Sequence, residues 1–125
     1  MNAPVRHGRA GLPAATLARG RLPAGTMNKT EEAYARHLEG LKALGEIAWF
    51  GFEAWTLRLA KRCSYTPDFI VMRTDGAIEA HEVKGHWTDD SRVKIKVAAA
   101  QHPLRFVAIR ALPKKAGGGW EVEEF

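Results

Sequence analysis

A chain of 125 residues, 46% apolar and 26% charged, is one domain's worth of ordinary globular composition, enough for a single modest core. Its net charge of +5 is unevenly placed: residues 1–26 hold Arg6, Arg9, Arg19 and Arg21 and no acid, while the other 99 carry 15 basic and 14 acidic side chains. A lone cysteine, Cys63, excludes an internal disulfide and a cysteine-rich zinc site, and no stretch approaches the ~18 apolar residues of a membrane span.

Residues 1–26 mix Ala, Gly, Pro and Arg without periodicity and read as a disordered or loosely attached basic arm. Its arginines suit a polyanion such as DNA or RNA, or serve solubility. The folded domain is expected over 27–125. Asn28-Lys29-Thr30-Glu31 reads as a helix start, with Asn28 or Thr30 as cap and the helix running to about Leu44 before Gly45. Tyr34, Leu38 and Leu41 mark its apolar stripe, with Ala33 and Leu44 as further members. Glu31 shares that inward face. Two readings stay open for it: a reciprocal capping box with Asn28, or a place in a metal or water site.

Strands are expected at 46–52 and 54–60, then at 67–73 and 77–85 around Thr74-Asp75-Gly76. A second helix over 89–101 would bury Val93, Val97 and Ala100, with Lys96 beside that stripe and Arg92 further out on the same flank. Residues 105–112 alternate as a strand and 120–125 as an edge strand. The fold class is α/β in the mixed α+β sense: a central mixed sheet of about four to six strands flanked by two main helices. Trp49, Trp55 and Trp120 read as core.

Chemistry concentrates at Pro67-Asp68 and Glu82-Val83-Lys84. Glu82 and Lys84 are two apart in a strand and share a face. A two-residue Asp75-Gly76 loop would pair Asp68 with Val83 and turn it to the other face. A three-residue loop with Gly76 left-handed would pair Asp68 with Lys84 and Ile70 with Glu82, uniting all three side chains. Asp68 and Glu82 are then candidate ligands of a hard cation such as Mg²⁺, helped by a main-chain carbonyl. Lys84 is the candidate to orient water, to stabilise charge on a phosphate, or to act as base if burial lowers its pKa. The plainer alternative makes Asp68 a turn cap and Glu82 and Lys84 exposed strand residues. His81 falls on the face opposite Glu82. His86 and Trp87, in the loop leaving the motif, are placed to touch a sugar or base; Lys96 and Arg92 are placed to reach a phosphate.

On these residues the chain resembles the PD-(D/E)XK nuclease superfamily, with Glu31 matching the helical glutamate that many members carry. The phrases at 28–31, 65–69 and 81–85, with Arg92 to Lys96 and Trp120, resemble a family of small phage and prophage proteins. The resemblance covers roughly residues 27–125. It implies a restriction-endonuclease-like core, a catalytic set of Lys84, Glu82, Asp68 and Glu31, and a metal held by Asp68, Glu82, the Val83 carbonyl and, through water, Glu31. It further implies Mg²⁺, with Mn²⁺ substituting, and hydrolysis of phosphodiester bonds in DNA. Relatives include Holliday-junction resolvases, which work as dimers. The expectation is thus a homodimeric endonuclease acting on branched DNA during phage recombination or replication in the host cytoplasm. A non-catalytic nucleic-acid-binding module that keeps the fold is the alternative.

Overall fold

The computed structural model describes Pro23 and residues 25–85 and 88–125. The expectations for the arm up to residue 22, and for His86 and Trp87, lie outside the described residues. Helix α1 (Lys29–Ala43) starts where the sequence places it. Asn28 is extended, its side chain accepts from the Glu31 N–H, and the Glu31 carboxylate accepts from the Asn28 N–H. This reciprocal box satisfies two of the amides that a helix start leaves without partners. Tyr34 and Leu38 are buried and Leu41 partly so. Leu44, expected on the stripe, is 74% exposed. It is the C-cap residue, and the chain reverses at Gly45, with φ 80°, before another turn could carry it inward.

Five strands form one mixed sheet: β1 (Ile47–Phe52), β4 (Phe69–Arg73), β5 (Ile78–Val83), β6 (Arg105–Ala111) and β7 (Trp120–Glu124), in the order β1-β4-β5-β6-β7. Only β5 and β6 run parallel. A parallel pair needs a long crossover, and helix α2 (Asp89–Gln101) supplies it. The expected mixed sheet with two helices is what the chain forms. The strand expected at 54–60 begins only at Leu57, however. It is β2 (Leu57–Ala60), which pairs outside the main sheet with an unexpected β3 (Cys63–Tyr65). Arg62, at φ 59°, permits the tight reversal between them.

Odd-numbered residues of β4, β5 and β6 turn toward α1, where Phe69, Val71, Val83, Val107 and Ile109 meet Tyr34 and Leu38. Even-numbered ones turn toward α2 and the β2–β3 hairpin, where Ile70, Ala80 and Phe106 meet Leu59, Tyr65, Ile95 and Ala98. With both faces covered, the central strands carry almost unbroken apolar runs, which hides their alternation from a sequence reading. The buried stripe of α2 is therefore Ile95 and Ala98, with Val97 partly buried beside them as expected, and not Val93 or Ala100; Val93 is 57% exposed. Two residues separate Val93 from Ile95, about 200° around a helix, so one cannot be inward when the other is. No helix among the described residues is long and apolar enough to cross a membrane.

Candidate active site

The β4–β5 hairpin decides which side chains meet. Arg73 N donates to Ala77 O at 2.9 Å, closing a three-residue loop of Thr74, Asp75 and Gly76 in which Gly76 takes φ 91°. The loop has the odd length that the site requires, but its register differs from the expected one. Phe69 lies opposite His81 and Ile70 opposite Ala80, so Asp68, one step beyond, faces Glu82 and not Lys84. The difference arises because the loop opens at Thr74 and not at Asp75. Residues that differ by two keep the same face, so Asp68, Glu82 and Lys84 still share one side.

Each carboxylate is held by a different part of the chain. Asp68 Oδ2 accepts from the Val83 N–H at 2.8 Å. Glu82 Oε1 accepts from the Tyr65 hydroxyl at 2.6 Å and, weakly, from the Asp68 N–H at 3.4 Å. Glu82 Oε2 lies 3.0 Å from Lys84 Nζ. Glu82 is buried and Asp68 half-buried. Burial, and then the charge of Glu82, push the Asp68 carboxyl up to about 8 against the opposing pull of the Val83 N–H and Lys84. The Glu31 charge adds a smaller contribution to that rise. Burial and Glu82 hold the Tyr65 phenol well above its ordinary range, leaving it a hydrogen-bond donor.

With both carboxylates ionised the cluster would carry two negative charges against one ammonium, a surplus that a hard divalent cation can offset and that otherwise keeps a proton on Asp68. Among the described residues no three His, Cys, Asp or Glu side chains gather closely enough to hold a metal by themselves. Asp68 and Glu82, completed by main-chain or water oxygens, would make a donor set of a composition that suits Mg²⁺, which keeps several waters. Val83 meets Asp68 through its amide; its carbonyl enters this set by sequence position alone.

The other expected residues among those described border β7. Arg92 pairs with Glu123, Nη2 to Oε2 at 2.7 Å, and its guanidinium stands 5.4 Å over the Phe125 ring. Lys96 lines the same groove of about 480 Å³, together with Glu123 and Glu124. Both cations thus border an acidic strand.

Tyr65 was not legible as a site residue, because it reaches Glu82 from outside the main sheet. A second missed cluster fills the α1 side of β5. Tyr34 Oη and His81 Nδ1 are 2.7 Å apart, His81 Nε2 and Glu79 Oε1 2.8 Å, and Arg105 donates to Glu79 Oε2 at 3.0 Å. The hydrogen bond to His81, and then that to Arg105, hold Glu79 down at about 2 despite burial. The signal available was an acid and a histidine two apart in β5, on the face opposite Glu82. Trp49 and Trp55, expected in the core, are 38% and 41% exposed. Trp49 stands on an edge strand just past a bulge at Ala48, and α2 packs chiefly on β2, β3 and β6, so its indole is left uncovered. Trp120 does join the α1 cluster, edge-on to Tyr34.

Comparison with protein-family models, with curated proteins and with solved structures gives no match to this chain.

Proposed function

We propose that the protein is a divalent-metal-dependent endonuclease of the restriction-endonuclease-like kind, hydrolysing phosphodiester bonds in DNA. The observation that carries this reading is the meeting of Asp68 and Glu82 on adjoining strands with Lys84 Nζ 3.0 Å from Glu82. Asp68, Glu82 and the Val83 carbonyl would hold Mg²⁺, or Mn²⁺ in its place, with Glu31 contributing through a water. A cation bound there would supply an activated water and offset charge on the phosphate. Lys84 would donate to the phosphate oxygen that gains charge, or orient the attacking water. Tyr65 and the Val83 N–H keep the carboxylates from swinging away, as partners of metal ligands do. The basic balance of the chain favours a polyanionic substrate. Branched DNA in a phage recombination or replication setting, in the host cytoplasm, is the context we favour. A homodimer would present two such sites to two strands.

The test is a cleavage panel of duplex, single strand, flap and four-way junction with Mg²⁺, Mn²⁺ or EDTA, run beside Glu82→Ala and Lys84→Ala. Metal-dependent cutting lost in both variants supports the reading; cutting retained by a clean Glu82→Ala preparation overturns it. One observation favours a second reading, a nucleic-acid-binding module without turnover: both Glu82 oxygens are already engaged, by Tyr65 and Lys84. DNA binding with no cutting under any cation would select it.

A further inference from the structure

We propose that the β2–β3 hairpin and the corner beside it form the surface that grips an unpaired DNA strand and leads it to Asp68 and Glu82. The inference rests on the DNA reading above and specifies its substrate: DNA with unpaired nucleotides next to the cut. Between Ala54 and Pro67 the chain carries Arg58, Lys61 and Arg62 and no acid. All three cations are exposed, and none pairs with a carboxylate among the described residues. The opposite edge differs in kind. Glu121, Glu123 and Glu124 of β7 pair with Arg110, Arg92 and Arg105, so a phosphate arriving there meets carboxylates and cations already matched.

Aromatic surface continues the basic hairpin. A Cβ at Gly51 would lie 2.8 Å from the Trp49 indole and 3.0 Å from the Ala54 Cβ, so that indole lies against the strand beside Ala54, the neighbour of Trp55. Trp49 pairs with Met72, on the same sheet face as Ile70 and Glu82. The corner is tied to the site, since Glu53 N donates to Asp68 O at 2.7 Å and the Thr56 and Thr66 hydroxyls are 2.8 Å apart. The hairpin is held in place as well: Leu59 and Tyr65 enter the core, and Lys94 donates to Ser64 O at 3.3 Å. Its second strand ends at Tyr65, which bonds Glu82, and Asp68 follows three residues later. Cations spaced along a fixed ribbon and partly exposed indoles beside it are what an unpaired strand requires, phosphates on the first and bases on the second. A closed duplex offers no base face for the indoles.

The experiment is fluorescence anisotropy with the full chain in EDTA, using one labelled oligonucleotide as single strand and as duplex, across a salt series. Replacing Arg58, Lys61 and Arg62 together by Gln should reduce the log–log salt slope for the single strand by about 2. Trp55→Ala should weaken the single strand about tenfold and leave the duplex unchanged. Trp55→Phe should retain most of the affinity, and Lys96→Gln should change neither ligand. Unfolding midpoints matching wild type qualify each variant, and Trp55→Phe with the Gln set decides the matter if Trp55→Ala does not fold. Unaltered slope and affinity, equal losses for duplex and single strand, or a larger loss from Lys96→Gln would each overturn the proposal. No metal is present, so a failure to cut DNA leaves this result standing. Conversely, cutting that depends on Glu82 while the hairpin variants bind normally would remove the hairpin and keep the nuclease.

Discussion

Tyr65 and Glu82 are joined by a 2.6 Å hydrogen bond although Tyr65 belongs to a two-stranded ribbon and Glu82 to the main sheet. The bond fixes one oxygen of a buried carboxylate and couples the position of the ribbon to that of the site. Tyr65→Phe keeps the ring in the core but leaves Glu82 Oε1 without its closest donor. We expect a stability loss of about 1–3 kcal/mol and a fall of about 10–100-fold in Mg²⁺ affinity. Chemical denaturation and a Mg²⁺ titration followed by tryptophan fluorescence would check both; unchanged Mg²⁺ affinity would remove Tyr65 from the site.

Asp68 should make the metal-free protein less stable as pH rises. Its carboxyl holds a proton up to about 8 in the folded chain, whereas the unfolded chain releases it near the ordinary carboxylate value of about 4. The folded state thus binds more protons across that window, and stability declines from pH 4 toward pH 8. Asp68→Asn should flatten this limb, and stabilisation by added Mg²⁺ should grow as pH rises through the same range. Unfolding midpoints across the pH series, with and without Mg²⁺, are the measurement.

Glu79 should act with the opposite sign. Its folded value is depressed from 4.5 to about 2, so its contribution is present above 4.5 and is lost as pH falls through that interval. A depression of this size sets an upper bound of roughly 3 kcal/mol, which solvent screening at the exposed Arg105 reduces. Glu79→Gln should remove most of the acid limb of the stability curve while leaving the limb assigned to Asp68. An acid limb identical to wild type would show that the Tyr34–His81–Glu79 cluster does not govern acid unfolding.

The corrected helix stripe is tested by two alanines. Ile95 is fully buried beneath the site face, and Ile95→Ala should cost about 2–5 kcal/mol. Val93 is mostly exposed, and Val93→Ala should change stability by no more than about 0.5 kcal/mol. The reverse order in a urea titration would restore the stripe read from sequence.

The parts of the structure that depend on local chemistry were legible in the sequence. Asn28 and Glu31 announced the start of α1, the Thr74-Asp75-Gly76 turn announced the hairpin, and a spacing of two put Glu82 and Lys84 on one face. What depends on contacts between distant segments was not. The register turns on which of two adjacent residues opens a loop, a difference of a few hydrogen bonds. β3 is three residues long and exists only because β2 lies beside it. In α2, Ala98 to Ala100 fit either side of a helix equally well, so the neighbours in space, Ala80 and Phe106, decide which way Ile95 points. The Trp49 indole, on an edge strand, looks like core until the helix that would cover it is found to pack elsewhere.

The β4–β5 hairpin has one more consequence, for the order of folding. Asp68, Glu82 and Lys84 all belong to this one local unit, whose loop closes over three residues. Contacts of such short range form ahead of the long crossover that aligns β5 with β6. The two like charges therefore meet while the chain is still mostly open to water, and the lysine that offsets them arrives on the same strand. Tyr65 and α2 then close over a Glu82 already paired with Lys84, and the proton that Asp68 takes up as it is buried spares the late steps of folding the burial of two bare carboxylates.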